Sequence, residues 1–236
     1  MLFSRFFIVL GLTILMSSAD AQAQAVSPGG SKILFDGTSL DAWRGFEAET
    51  IGQGWKIVDG ALLYDGSGGG DIVTKEEFGD FELTFEWRVP SGANSGVMYR
   101  VGLGEEAPYL TGPEYQILDD AGHGDGKNPL TSAGSLYGLY APQNKTLNPL
   151  CYWNSAKIVA HGNRIEHWLN GAKVLEAEIG SDDWNERLNK SKFKAWPTFA
   201  SLPSGRICLQ DHGNEVWYRD IRIWVTGNQP SNSGPK

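Results

Sequence analysis

Three observations predict an all-β fold, a two-sheet jelly-roll sandwich: short segments of alternating apolar and polar residues, many turn-forming glycines, and a single helical stretch. The alternation is clearest in Phe81-Glu-Leu-Thr-Phe-Glu-Trp-Arg-Val89. Successive side chains of a strand point to opposite sides, so Phe81, Leu83, Phe85, Trp87 and Val89 share one face and Glu82, Thr84, Glu86 and Arg88 the other. Segments 96–101, 114–118, 156–160, 164–169, 173–177, 205–210 and 215–224 continue the pattern, and Asp71-Ile-Val opens another strand. Asn170-Gly171 is the two-residue hairpin signal, because both positions of that turn need a positive φ. Thirty glycines in 236 residues are nearly twice the usual ~7% and imply many tight turns. The helix is expected near 182–192 at the surface, with Ser181 as N-cap, acidic residues in its first turn and lysines in its last.

The N-terminus has the form of a secretory signal peptide over residues 1–25: Arg5, the apolar run Phe6 to Met16, then small residues with cleavage near Ala23 or Ala25. A linker is expected over 26–31, one catalytic jelly-roll domain over 32–226 and a flexible polar tail over 227–236. The mature protein is therefore expected to be periplasmic or extracellular and to lack a membrane span. With 28 carboxylates against 20 bases and a net charge of −8, no basic stripe exists for a phosphate backbone, which excludes nucleic acid as a partner. Nine Trp exceed the needs of a core this size, and some are candidates for stacking on sugars. Cys151 and Cys208 are compatible with a bridge or with two packed thiols.

Polar groups suited to sugars recur at strand centres and ends. They lie in Asn94-Ser-Gly96, Gly112-Pro-Glu-Tyr-Gln116, Trp153-Asn154, Glu166-His-Trp-Leu-Asn-Gly171 and Leu209-Gln-Asp-His-Gly213. Together with Ile33-Leu-Phe-Asp-Gly37, Gly79-Asp-Phe-Glu-Leu-Thr-Phe-Glu-Trp-Arg88 and Tyr137-Gly-Leu-Tyr140, these strings resemble the 3-keto-disaccharide hydrolase family, in family order from about Ile33 to Val225. The resemblance implies a concanavalin-like jelly roll and cleavage of 3-keto-glucosides or 3-keto-disaccharides, the ketone being made beforehand by a partner sugar C3-dehydrogenase. A ketone at C3 acidifies the C2 proton, so a base can remove it, the glycosidic oxygen is expelled from C1, and hydration completes a net hydrolysis. Such a route needs a base, a group to hold the enolate oxygen and an acid for the leaving oxygen.

For proton transfer the candidates are Glu114, Asp211, His167 and His212. Glu86, Arg88, Asn94, Arg100, Gln116, His123, Tyr137, Trp153 and Gln210 are the candidates for binding substrate. A divalent metal ion bridging the C2 and C3 oxygens is a further option, with Glu114, His167 and His212 as ligands. Each assignment has a structural alternative. His167 alternates with Ile165 and Leu169 and could belong to the core, His212 could shape the turn before Gly213, His123 could be a loop polar group, and Glu86 with Arg88 could be a surface pair. Asp119, Asp120 and Asp125 lack the spacing of a calcium loop, and no phosphate loop or serine nucleophile elbow is present. A carbohydrate-binding module and a cell-surface scaffold domain remain as other classes. Several titratable groups gathered in one site favour the enzyme. Glu86, Arg88, Arg100, Glu114, His167 and His212 are expected to converge on one concave sheet face.

Overall fold

A computed structural model describes residues 30–226. The expected signal peptide, residues 26–29 of the linker and the tail lie outside the described residues. Ser31, placed in the linker by sequence, is already the first residue of a strand. Among the described residues no helix is long and apolar enough to cross a membrane.

Thirteen strands form among the described residues: β1 (Ser31–Phe35), β2 (Trp43–Gly45), β3 (Trp55–Val58), β4 (Ala61–Tyr64), β5 (Ile72–Thr74), β6 (Phe81–Arg88), β7 (Asn94–Val101), β8 (Glu114–Leu118), β9 (Asn154–His161), β10 (Arg164–Leu169), β11 (Ala172–Glu178), β12 (Arg206–Leu209) and β13 (Val216–Val225). They build two antiparallel sheets. The larger, of eight strands, runs β11-β10-β9-β6-β13-β4-β3 with β1 paired to β13, and the smaller runs β2-β5-β12-β7-β8. The α-helix α1 (Asp182–Lys190) is capped by the Ser181 side chain, which accepts from the Trp184 N–H, and Trp184 anchors it to the core. The Asn170-Gly171 turn closes β10 onto β11 with φ of 49° and 82°, as its chemistry requires.

The core lies between the sheets. Phe81, Leu83, Phe85 and Trp87 of β6 meet Val97, Tyr99, Tyr115 and Ile117 from the smaller sheet. Phe85 and Tyr115 pack edge to face at 5.7 Å between ring centroids. The smaller sheet differs from a half-solvated one because β7 is buried along its whole length. Its outer face carries a second apolar cluster of Phe46, Val73, Met98, Val101 and Cys208. The cysteines are free thiols, Cys208 inside this cluster and Cys151 exposed.

His167 belongs to the core. It sits on the inner face with Ile165 and Leu169, is fully buried, and has both ring nitrogens engaged. Nδ1 is 3.2 Å from the Gly134 carbonyl oxygen, to which it donates, and Nε2 is 3.0 Å from the Tyr99 hydroxyl, from which it accepts. Burial depresses its pKa to about 3, against backbone hydrogen bonds that favour the proton. The unfolded chain therefore binds a proton here that the folded one refuses, and stability falls as pH drops from about 6.5 toward 3, by up to ~1.4 kcal/mol per pH unit. Urea melts of His167→Gln are expected to show lower stability at pH 7 and a flatter acid limb than wild type, with turnover per folded molecule retained. Loss of turnover in a folded His167→Gln protein would contradict the core assignment.

Candidate active site

Pairing register determines what faces outward from the smaller sheet. Met98 pairs with Glu114 and with Cys208, and Cys208 pairs with Val73, so these four form one row across the outer face. Gly96 pairs with Gln116, and the Gln210 N–H donates to the Gly96 carbonyl at 3.0 Å, which starts the next row. Above this row lies a cavity of about 250 Å³ lined by Asn94, Tyr109, Glu114, Gln116, Tyr137, Lys192, Phe193, Gln210 and His212.

Gly96 makes the site possible. A Cβ built on it would lie 2.1 Å from Glu114 Oε1, and its next nearest atoms are also those of the Glu114 side chain. The missing side chain lets the Glu114 carboxylate lie down across β7 instead of rising into solvent. Among the described residues nothing hydrogen-bonds that carboxylate. Burial pushes its pKa up to about 8, the Lys192 ammonium opposes the rise, and the charges of Asp71 and Asp125 add to it.

Around Glu114 stand three carboxamides with unused hydrogen-bonding atoms. Asn94 Oδ1, both amide atoms of Gln116 and Gln210 Oε1 are buried and have no partner among the described residues. Such a group costs ~1–3 kcal/mol, and a ligand rich in hydroxyls would remove that cost. The rim is polar and aromatic. The His212 Nε2 lies 3.5 Å from Asn94 Nδ2, and its ring meets that of His123 edge on at 6.1 Å. The His123 Nδ1 accepts from the Asp125 N–H, and the Tyr137 hydroxyl donates to Asp125 Oδ2 at 3.4 Å. Burial and the nearby Asp125 and Glu114 charges raise the Tyr137 pKa to about 12, so the phenol stays a donor. The Lys192 ammonium lies 4.9 Å from the Tyr137 ring centroid.

The structure therefore brings together Glu114, Asn94, Gln116, Gln210, His212, Tyr137 and, at the rim, His123. Other expected members lie elsewhere. Glu86 and Arg88 sit on the outer face of the larger sheet, where Glu86 pairs with Arg219 and the Arg88 guanidinium lies 4.8 Å from Trp153 and 4.5 Å from Trp217. Trp153, also contacted by Arg219, stays on that face. Arg100 would share the face of Asn94 and Gly96 in a regular strand. It occupies a bulge instead, with φ of 52° and a register shift against β12. Its guanidinium turns away to the carbonyls of Gly79 and Gly162 and to Asp80. Asp211 braces a loop: Oδ2 accepts from the Gly70 N–H and Oδ1 from the Gly213 N–H. With His167 in the core, the set Glu114, His167 and His212 does not come together. Among the described residues no group of three or more His, Cys, Asp or Glu is placed to hold a metal ion, so no step is routed through one. Lys192, Tyr109, Phe193 and, beside the pocket, Asp71 were not expected. Asp71 had a signal in its parity with Val73, whereas Lys192 had only its place at a helix end.

A jelly-roll sandwich with an unpaired carboxylate in an amide-lined pocket on one sheet is suited to binding and processing a carbohydrate. The chain belongs to the 3-keto-alpha-glucoside-1,2-lyase-like domain family, whose model matches residues 30–224. It is 32% identical over 240 residues to a 3-keto-disaccharide hydrolase of Bacteroides thetaiotaomicron, covering 87% of this chain and 82% of that protein. Two solved structures from Parabacteroides distasonis, both assigned as glycosyl hydrolases, share the fold. The first has 32% identity and a TM-score of 0.78 over 84% of this chain and 94% of its own. The second has 29% identity and a TM-score of 0.67 over 83% and 99%.

Gly96→Ala tests the cradle. The three atoms nearest the added methyl all belong to the flexible Glu114 side chain, so thermal melting should stay near wild type while turnover falls at least ~100-fold, the scale for displacing a general acid or base. A Gly96→Ala protein with normal turnover would show that the position of the Glu114 carboxylate does not matter.

Proposed function

We propose that the protein cleaves the glycosidic bond of 3-keto-glucosides or 3-keto-disaccharides by elimination across C1 and C2, followed by hydration. The observation that carries this reading is Glu114, an unpartnered carboxyl with its pKa raised to about 8 and surrounded by unsatisfied amides. Family membership supports the substrate class. At neutral pH Glu114 is mostly protonated, so it serves as the acid that protonates the leaving glycosidic oxygen. The Gln116 and Gln210 carboxamides line the same pocket and are suited to hydroxyls and to an enolate oxygen. Tyr109, Tyr137 and Phe193 supply apolar surface for the ring faces. The ketone must be installed first, by a dehydrogenase acting at C3.

Two measurements test this. Purified protein should release the aglycone from a 3-keto-glucoside and leave the unoxidised glucoside intact, because without the ketone the C2 proton is too weakly acidic for a side chain to remove. Equal turnover of both sugars would indicate an ordinary glycosidase, and saturable binding without turnover a carbohydrate-binding module. Glu114→Gln should lower turnover at least ~100-fold. The sign for stability is opposite: the unfolded carboxyl ionises near 4.5 and the folded one near about 8, so wild type is penalised as pH rises through that range. At pH 9 Glu114→Gln should melt higher than wild type. A variant that loses turnover and melts lower at pH 9 would mark Glu114 as structural.

A further inference from the structure

We propose that Asp71, which stands beside the pocket rather than in its lining, is the second catalytic carboxylate, facing Glu114 across Gln210 and Gly96. The inference rests on the reaction proposed above and names the group that removes the C2 proton.

The placement follows from register. Ile72 pairs with Leu209, which sets Asp71, one residue before β5, across from Gln210, one residue after β12. Val73 shares its parity and joins Met98 and Cys208 in the outer cluster, so Asp71 belongs to the outer face with the pocket. Gln210 is tied to Gly96 through its N–H, and the Glu114 carboxylate lies over Gly96. Asp71 and that carboxylate are therefore separated by two strand spacings, ~10 Å measured along the sheet from the Asp71 backbone. That is room for one sugar ring flanked by two carboxyl groups, with the orphaned Gln210 Oε1 between them.

Asp71 is only half buried, so substrate can reach it. One of its oxygens is held: Oδ1 accepts from the Asp211 N–H at 2.7 Å. Among the described residues the other has no hydrogen-bond partner. The charged and titratable groups on its side of the sheet are Asp211 on the adjoining loop, Cys208 on β12 and Glu114 on β8, while Tyr218 of β13 feels its charge from the core on the other side. Burial raises its pKa to about 6, with the Asp211 charge adding and the Asp211 N–H opposing. Glu114 lies near about 8. Two carboxyl groups whose environments hold them apart in this way divide the acid and base roles between them. Near neutral pH Asp71 is ionised and Glu114 is protonated.

The step then balances. The Asp71 carboxylate takes the C2 proton, and the C2–H electron pair becomes the C1=C2 bond. The C1–O bond breaks, and its pair leaves on the glycosidic oxygen, which takes the proton of Glu114. Water next adds across C1=C2: its oxygen bonds to C1 as its proton passes to Glu114, and Asp71 returns a proton to C2. The products are the free alcohol and a 3-keto sugar, and both carboxyl groups are restored.

Asp71→Asn separates this role from the loop brace, since the amide oxygen still accepts from the Asp211 N–H. With a 3-keto-glucoside as probe, kcat should fall at least ~100-fold while KM and the melting temperature stay near wild type. The acidic limb of the wild-type pH profile, near about 6, should disappear. Wild-type turnover with an undiminished Asp71→Asn protein would overturn the Asp71 role alone, as would a variant whose acidic limb is unchanged. A wild type inert toward every 3-keto-glucoside would overturn the reaction and this role together. Should Asp71→Asn fail to fold, Asp71→Glu keeps both acceptor and charge, and an unmoved acidic limb in that variant would overturn the assignment.

Discussion

The pocket depends on one constraint, that a carboxylate can be laid against a β-sheet only where the sheet offers no side chain. Gly96 provides that gap, and Glu114 fills it without gaining a hydrogen-bond partner among the described residues. A carboxyl desolvated in this way cannot hold its charge at the usual pH, which makes it a proton donor near neutrality. The orphaned amides of Asn94, Gln116 and Gln210 follow the same logic, since polar groups buried without partners are costly and persist where a ligand completes them.

The two sheets divide the work. The larger one packs Phe81, Leu83, Phe85 and Trp87 against the smaller and turns its charged face outward, where Glu86 pairs with Arg219, Arg88 stacks on the Trp153 and Trp217 indoles and Arg219 on Trp153. The smaller sheet is covered on both faces along β7. Its apolar outer row of Val73, Met98 and Cys208 adjoins the polar row, so the catalytic candidates are partly screened from water and supported by packed side chains. His167 locks the interior by joining Tyr99 on one sheet to the Gly134 carbonyl through a neutral imidazole.

Most of the fold was legible because alternation, turn chemistry and capping are local signals. Strands 114–118 and 164–169 have the bounds the pattern predicts, and Ser181 caps α1. The candidate pocket was legible only where motif and parity agreed, as for Glu114, Gln116, Asn94 and Gln210, which with His212 line one cavity. Alternation separates inside from outside but not one sheet's outer face from the other's, which is why Glu86 and Arg88 were grouped with the wrong surface. The same signal was available for His167, whose neighbours Ile165 and Leu169 are core residues. Arg100 failed for a different reason: a single left-handed residue in a bulge reverses facing, and nothing in Tyr-Arg-Val announces it. The pairing of Asp71 with Gln210 is a contact between segments far apart in the chain, visible only once register is known.

The most direct test of the account is the structure of Glu114→Gln bound to a 3-keto-glucoside, since that variant should bind but not turn over. The sugar ring is predicted to lie over Gly96 on the outer face of the smaller sheet, with its ketone and hydroxyls on Gln116, Gln210 and Asn94 and its glycosidic oxygen beside residue 114. A ring bound instead on the outer face of the larger sheet, against Trp153 and Trp217, would contradict it.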